Sequence, residues 1–218
     1  MIELYTGVPG SGKSLHLVTD IKKALKGGKT VVCNFDFRYD LVKHSKGRFI
    51  RVQNEDLTYP TKIYEIVKEV FDMNEGRVVP NSVLLVLDEV QIIFDARHWD
   101  SAGRREWNEF FSIHRKLGLS VILVTQSADS LDKRIRGNVE LVTLHRNFSR
   151  MGGIGLIFAL LMGGQAFIAI SKYVGTNAVV DRRLIRGSKR SYRYYDSYNV
   201  EFLPENVRAI LEKNEKTN

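Results

Sequence analysis

Residues 7–14, Gly7-Val8-Pro9-Gly10-Ser11-Gly12-Lys13-Ser14, satisfy G-x-x-x-x-G-K-[ST] at every fixed position. A stretch of this kind leaves little freedom to the chain around it. Its glycines let successive backbone N–H groups turn inward around phosphate oxygens, its lysine reaches the β- and γ-phosphates, and its hydroxyl holds Mg²⁺. The loop needs a strand before it and a helix N-terminus after it. Met1-Ile2-Glu3-Leu4-Tyr5-Thr6 supplies the strand, and apolar residues at helical spacing from Leu15 through Leu25 supply the helix.

Gly27-Gly28 closes that helix, and Thr30 to Phe35 is a second β-branched strand, completing a βαβ unit. Arg48 to Val52 alternates like a short edge strand. Ile63, Ile66, Val67, Val70 and Phe71 draw an apolar stripe along a helix expected over Thr61–Met73, started by Pro60. Val83-Leu84-Leu85-Val86-Leu87 is a continuous apolar run, the pattern of a strand buried on both faces, and it ends in Asp88-Glu89. Carboxylates at the carboxyl end of such a strand point at the ligand crevice of an open α/β sheet. With the glycine-rich loop, Asp88 is expected to hold the Mg²⁺ shell opposite Ser14, and Glu89 to polarise the attacking water.

A further helix carries Trp107, Phe110, Phe111, Ile113 and Leu117 on its apolar face and ends at Gly118. Ser120 to Gln126 is then a third buried strand whose terminal Gln126 is positioned to sense the γ-phosphate. Asp129 to Arg136 is expected as a short helix, and Val139 to Leu144 as another strand. Nucleotide-driven rings often complete one subunit's site with an arginine from its neighbour. Arg97, Arg115, Arg134 and Arg136 are the candidates, and the sequence does not rank them.

With 218 residues, 44% of them hydrophobic and 27% charged, the chain has the composition of one α/β domain with a small appendage rather than of a disordered or fibrous protein. Cys33, the one cysteine, lies in an apolar run, so no disulfide forms within the chain. No secretory signal opens it, because residue 2 already belongs to a strand, and a cytosolic location is expected. The net charge of +8 fits nucleic acid, an anionic membrane surface or a bound nucleotide equally. Six of the basic residues, Arg182, Arg183, Arg186, Lys189, Arg190 and Arg193, crowd beside Tyr192, Tyr194 and Tyr195. Such mixtures bind phosphate backbones or lipid headgroups, and equally form solvated hairpins.

Met151 to Ile170 holds twenty uncharged residues, long enough to be a membrane-span candidate. Five glycines and Gln165 interrupt it, and Gly163-Gly164 divides it in two. A β-hairpin is therefore favoured over a span, with bilayer or a neighbouring subunit against its apolar surface. The expected organisation is a core over 1–150, an apolar and basic β-hairpin appendage of the same domain over 151–203, and a C-terminal helix and tail over 204–218 with Val207, Ile210 and Leu211 on one face.

The order of these features resembles one family, the zonular occludens toxin (Zot) family, which includes assembly and export ATPases of filamentous phages. The residues carrying the resemblance are Gly7 to Ser14, Val31 to Asn34, Leu85 to Gln91, Phe94 to Arg97, His114 to Leu119 leading into Ile122 to Gln126, and Tyr194 to Tyr198. The resemblance implies a P-loop NTPase of α/β class, a doubly wound, mainly parallel sheet with a small C-terminal β appendage. It further implies a membrane-associated multimer, a homo-oligomeric ring at the cytoplasmic face of the inner membrane, that extrudes phage single-stranded DNA and coat protein. Family members usually carry a membrane span and an external tail after the ATPase domain, so a chain stopping at Asn218 is expected to be a truncated or short member; no toxin activity is implied. The resulting site has Gly7, Val8, Pro9, Gly10, Ser11, Gly12, Lys13, Ser14 and Leu15 around ATP, Ser14 and Asp88 on Mg²⁺, and Lys13, Glu89 and Gln126 in catalysis. A nucleotide kinase and a non-catalytic nucleotide-binding membrane scaffold are the alternatives.

Overall fold

A computed structural model describes residues 1–98, 101–161 and 165–195. Among them eight strands form one sheet: β1 (Ile2–Thr6), β2 (Thr30–Cys33), β3 (Arg48–Arg51), β4 (Val83–Leu87), β5 (Leu119–Val124), β6 (Leu141–Asn147), β7 (Ala166–Tyr173) and β8 (Val179–Arg186). Their spatial order is β3-β2-β4-β5-β1-β6-β7-β8. The first six are parallel, while β7 runs antiparallel to both β6 and β8. The helices are α1 (Lys13–Lys26), α2 (Thr61–Met73), α3 (Arg104–Ile113), α4 (Lys133–Arg136), α5 (Gly152–Leu161) and α6 (Lys189–Tyr192).

The continuous apolar run in β4 is explained by cover on both faces. Val83, Leu85 and Leu87 point into one core with Ile63 and Ile66 of α2 and Trp107, Phe110 and Phe111 of α3. Leu84 and Val86, one residue out of phase, point into the other with Leu17, Ile21 and Leu25 of α1. All five residues of β4 are buried. The arrangement is the doubly wound α/β sheet expected from the sequence, with β3 at its edge.

Several boundaries differ from expectation. The expected helix over Asp129 to Arg136 is split: a 3₁₀ turn at Ala128–Ser130 is followed by α4, whose N-cap Asp132 accepts from the amides of Arg134 and Ile135. Strand β6 runs on to Asn147, which carries His145 and Asn147 to the carboxyl end of the sheet. Leu117 lies beyond α3, in the turn closed by Gly118.

The hairpin expected within Met151 to Ile170 does not form. Gly152–Leu161 is the helix α5, in keeping with the good helix propensity of its Leu and Ala residues. Strand β7 finds its partners in β6 and β8, and the β7–β8 turn lies at residues 174–178, where Gly175 and Asn177 take φ of 92° and 55°. No helix among the described residues is long and apolar enough to cross a membrane. Helix α5 nevertheless leaves Ile157, Leu160 and Leu161 between 61% and 81% exposed. The expected C-terminal helix with Val207, Ile210 and Leu211 lies outside the described residues.

Candidate functional site

The carboxyl ends of β1, β4, β5 and β6 meet at one edge of the sheet. Loop 7–12 leaves β1 there and turns into α1, with Gly10 and Gly12 in left-handed conformations at φ 73° and 98°. Gly12 is also sterically required, since a Cβ there would fall 2.6 Å from the ring of Phe167 on β7. Gly12 is the N-cap of α1 and offers no side-chain acceptor. The first amides of the helix, unpartnered within it, therefore face the loop's hollow with the positive end of the helix dipole. Lys13 bends back over this hollow, donating from Nζ to the Gly7 carbonyl at 2.6 Å. Burial lowers the pKa of its ammonium, while Asp88 and Glu89 pull it up. An uncapped helix end, a lysine held by a weak carbonyl partner and two carboxylates nearby suit a phosphate-bearing, metal-associated ligand. Lys13, at the end of the glycine-rich loop, lies within electrostatic reach of Asp88 and Glu89.

Strand β5 lies between β1 and β4, so its end separates the glycine-rich loop from the carboxylates. The three strand ends are tied by backbone bonds from Thr125 N to Tyr5 O at 3.0 Å, Gly7 N to Gln126 O at 3.4 Å and Val90 N to Val124 O at 3.0 Å. Asp88 is held at its backbone by Asn34 of the segment after β2, which donates to its carbonyl at 3.0 Å and accepts from its amide at 2.7 Å. The Glu89 amide donates to Asp88 Oδ1 at 2.8 Å, and Tyr195 donates its hydroxyl to Oδ2 at 2.7 Å. Burial pushes the Asp88 carboxyl pKa up; those two hydrogen bonds act against it. Glu89 itself adopts φ 48°, a left-handed backbone rare outside glycine. Such strain concentrates where side-chain aim matters. Its carboxylate accepts from Gln91 Nε2, and Gln91 Oε1 accepts from the buried Thr125 hydroxyl at 2.9 Å.

Gln126 is exposed and lines a cavity of about 550 Å³ that also has Gly7, Val8, Asn147 and Arg150 in its walls. From the end of β6, Asn147 donates to Gly10 O at 3.3 Å, and from the turn that follows, Arg150 donates to Pro9 O at 2.9 Å, bracing the loop from outside. The four candidate arginines are dispersed. Arg97 pairs with Asp95 at 2.7 Å, Arg136 with Asp129 at 2.6 Å, and Arg134 sits exposed on α4. Arg115 pairs with Glu140 beside the chain's first residue, at the opposite end of the sheet.

Behind the loop lies a buried polar cluster that no sequence motif marks. His16 Nδ1 and His145 Nε2 are 2.9 Å apart, His145 Nδ1 is 3.2 Å from Thr6 O, and Arg183 Nη1 reaches His16 Nε2 at 3.1 Å. With both rings neutral, one direction satisfies every atom: Arg183 donates to His16, His16 to His145, and His145 to the carbonyl preceding Gly7. Tyr195, Gln91, Asn34, Arg150 and this histidine pair are the site's residues that sequence reasoning did not single out. A signal existed for three of them, since Asn34, Gln91 and Tyr195 fall in blocks that carry the family resemblance.

The family model described as zonular occludens toxin (Zot) matches residues 1–201. The chain belongs to the Zot family. Among curated relatives, the Gene 1 protein of Enterobacteria phage M13 is 28% identical over 209 residues, covering 88% of this chain and 58% of that protein. The Gene 1 protein of Salmonella phage IKe is 26% identical over 218 residues, covering 91% of this chain and 57% of the relative. The chain thus spans somewhat over half the length of these relatives. Among solved structures, the N-terminal domain of zonular occludens toxin from Neisseria meningitidis superposes with a TM-score of 0.53 at 18% identity, covering 89% of this chain and 98% of that one. The genome packaging NTPase B204 from Sulfolobus turreted icosahedral virus 2, in complex with ATP-gammaS, gives a TM-score of 0.51 at 14% identity, covering 86% and 97%. Likeness at this level establishes a shared fold, that of the P-loop NTPases. For this Zot-family chain the sheet order, the loop and the strand-end carboxylates all belong to that fold.

Proposed function

We propose that this chain hydrolyses ATP and couples the energy released to assembly and extrusion of filamentous phage, DNA and coat protein, through the bacterial inner membrane. The observation that carries the hydrolytic reading is the meeting of Lys13 at an uncapped helix N-terminus with the Asp88-Glu89 pair at the end of β4, across the intervening β5. In this reading the amides of residues 7–15 and the Lys13 ammonium take the phosphates, and Ser14 and Asp88 would hold Mg²⁺. Bound there, Mg²⁺ would neutralise charge on the β- and γ-phosphates. Glu89, aimed by its left-handed backbone and by Gln91, orients the attacking water. Gln126, beside Gly7 in the cavity wall, hydrogen-bonds the γ-phosphate or that water.

The export part is supported by family membership, by the filamentous phage relatives and by a shared fold with a protein described as a genome packaging NTPase. The basic strand β8, with Arg182, Arg183 and Arg186, and the exposed apolar residues of α5 support contacts with phage DNA, the membrane or a neighbouring copy in a ring. Arg97, Arg134 and Arg136 follow the carboxyl ends of β4 and β5, and a ring would draw its trans arginine from these more readily than from Arg115.

Loss of ATP without any phosphoryl acceptor separates hydrolysis from a kinase reaction. Glu89→Gln is expected to retain ATP while turnover falls by about a hundredfold or more, the contribution typical of a residue that orients or deprotonates the nucleophile. Unchanged turnover in that variant rejects the assignment. Turnover indifferent to both single-stranded DNA and anionic liposomes rejects the motor reading.

A further inference from the structure

Asp88 has two carboxylate oxygens, and the backbone of Glu89 already engages Oδ1. The oxygen that the backbone leaves unengaged is Oδ2, and that is the one to which Tyr195 donates at 2.7 Å. A phenol has one proton, and here it is given to Asp88. Tyr195 thus occupies the carboxylate oxygen with which Asp88 would meet the metal of the proposed site.

We propose that Tyr195 is a latch on the metal site: its hydroxyl holds Asp88 Oδ2 while the site waits and is displaced when Mg²⁺ arrives with nucleotide. The inference rests on the reading of Ser14 and Asp88 as the metal-holding pair and adds to it a residue from the far end of the described chain. The construction of the segment suits a small movement about a fixed point. Tyr194 is the fixed point: it is buried among Phe37 and the side chains of α1, its hydroxyl donates to Leu41 O at 3.1 Å, its carbonyl accepts from Arg38 N at 2.9 Å, and the Lys22 ammonium lies 4.2 Å from its ring centre. Tyr195, one residue on, is only partly buried and rests edge-on against Phe35 with ring centres 4.9 Å apart.

Tyr195→Phe removes the hydroxyl and keeps the ring that packs on Phe35. Calorimetric titration with ADP, with and without Mg²⁺, compares the variant with the unaltered protein. The latch predicts that Mg·ADP binds Tyr195→Phe about tenfold more tightly, the size expected when one charge-assisted competitor is removed, while metal-free ADP binds both proteins alike. A purely structural tyrosine would change the two affinities together. As a second readout, ¹⁹F NMR of protein labelled with 3-fluorotyrosine identifies the Tyr195 line by its absence in the variant. That line should shift on adding Mg·ADP and stay put with ADP alone. Weaker or unchanged Mg·ADP binding by Tyr195→Phe, or a Tyr195 line unmoved by Mg·ADP, overturns the latch while leaving the nucleotide reading intact. Failure of the unaltered protein to bind ADP in either form overturns both.

Discussion

His16 Nδ1 stands 2.9 Å from His145 Nε2, with both rings buried directly behind the loop that opens the candidate site. Tyr5, Asp20, Glu3, Arg183, Asp181 and Lys13 also face or surround the pair. Burial lowers the pKa of both rings, His145 to about 3 with His16 as a second cause. The unfolded rings take up protons as pH falls below about 6.5, whereas the folded ones resist. The unfolded state therefore binds more protons, and stability falls with pH in that window by up to about 1.4 kcal/mol per pH unit per ring. Glu3, whose carboxyl burial raises, contributes with opposite sign. Urea denaturation between pH 6.5 and 5 should show the loss, and His16→Gln should flatten the slope; an unchanged slope in that variant contradicts the neutral pair.

The link from Glu89 through Gln91 to Thr125 aims a carboxylate without touching a phosphate. Gln91→Leu should lower kcat by about tenfold to a hundredfold with KM for ATP little changed, the pattern of a misaligned reacting group. Thr125→Val should weaken the same function less. Combined, the two substitutions should cost less than the sum of their separate effects, because they break one chain.

Lys13→Ala removes the ammonium now parked on Gly7 O. Affinity for ATP should drop by at least about tenfold, since a charge-assisted hydrogen bond contributes roughly 1.5–3 kcal/mol. Filter binding or calorimetry showing normal affinity would count against the site.

Trp107 is 1% exposed and donates from Nε1 to the Leu57 carbonyl at 2.8 Å. Trp107→Phe keeps an aromatic ring but strands that buried carbonyl, at an expected cost of about 1–3 kcal/mol in addition to the loss of packed volume. Thermal unfolding should shift down by roughly 2–4 °C per kcal/mol for a chain of this size. A variant as stable as the parent would show that water reaches Leu57.

Those features that sit within a few residues of one another were legible in the sequence. The strand, loop and helix over residues 2–26, the helix Thr61–Met73 and the buried strand Val83–Leu87 each announce themselves by local spacing. Features built by distant pairing did not. Tyr195 reaches Asp88 across 107 positions and His145 reaches His16 across 129, and no periodicity encodes either meeting. The apolar stretch at 151–170 misled for a different reason. Short apolar runs are ambiguous between strand and helix, and the choice was made by a competing partner: β8 claims one side of β7 and β6 the other, leaving the preceding run to coil as α5. The turn signal was present at Gly175 and Asn177, some ten residues after the pair of glycines that drew attention.

Strand β1 lies inside the sheet with β5 and β6 as its neighbours, Ile2 beside Val121 and Glu3 beside Leu141. On the ribosome the strands that flank β1 appear only after well over a hundred further residues have been made, on the order of ten seconds later at ordinary synthesis rates. The glycine-rich loop is therefore translated well before it is completed, because its geometry depends on partners that do not yet exist. A nascent chain of this protein would acquire the ability to grip a phosphate late and abruptly, when β6 docks and delivers Asn147 and, just beyond it, Arg150 to the outside of the loop.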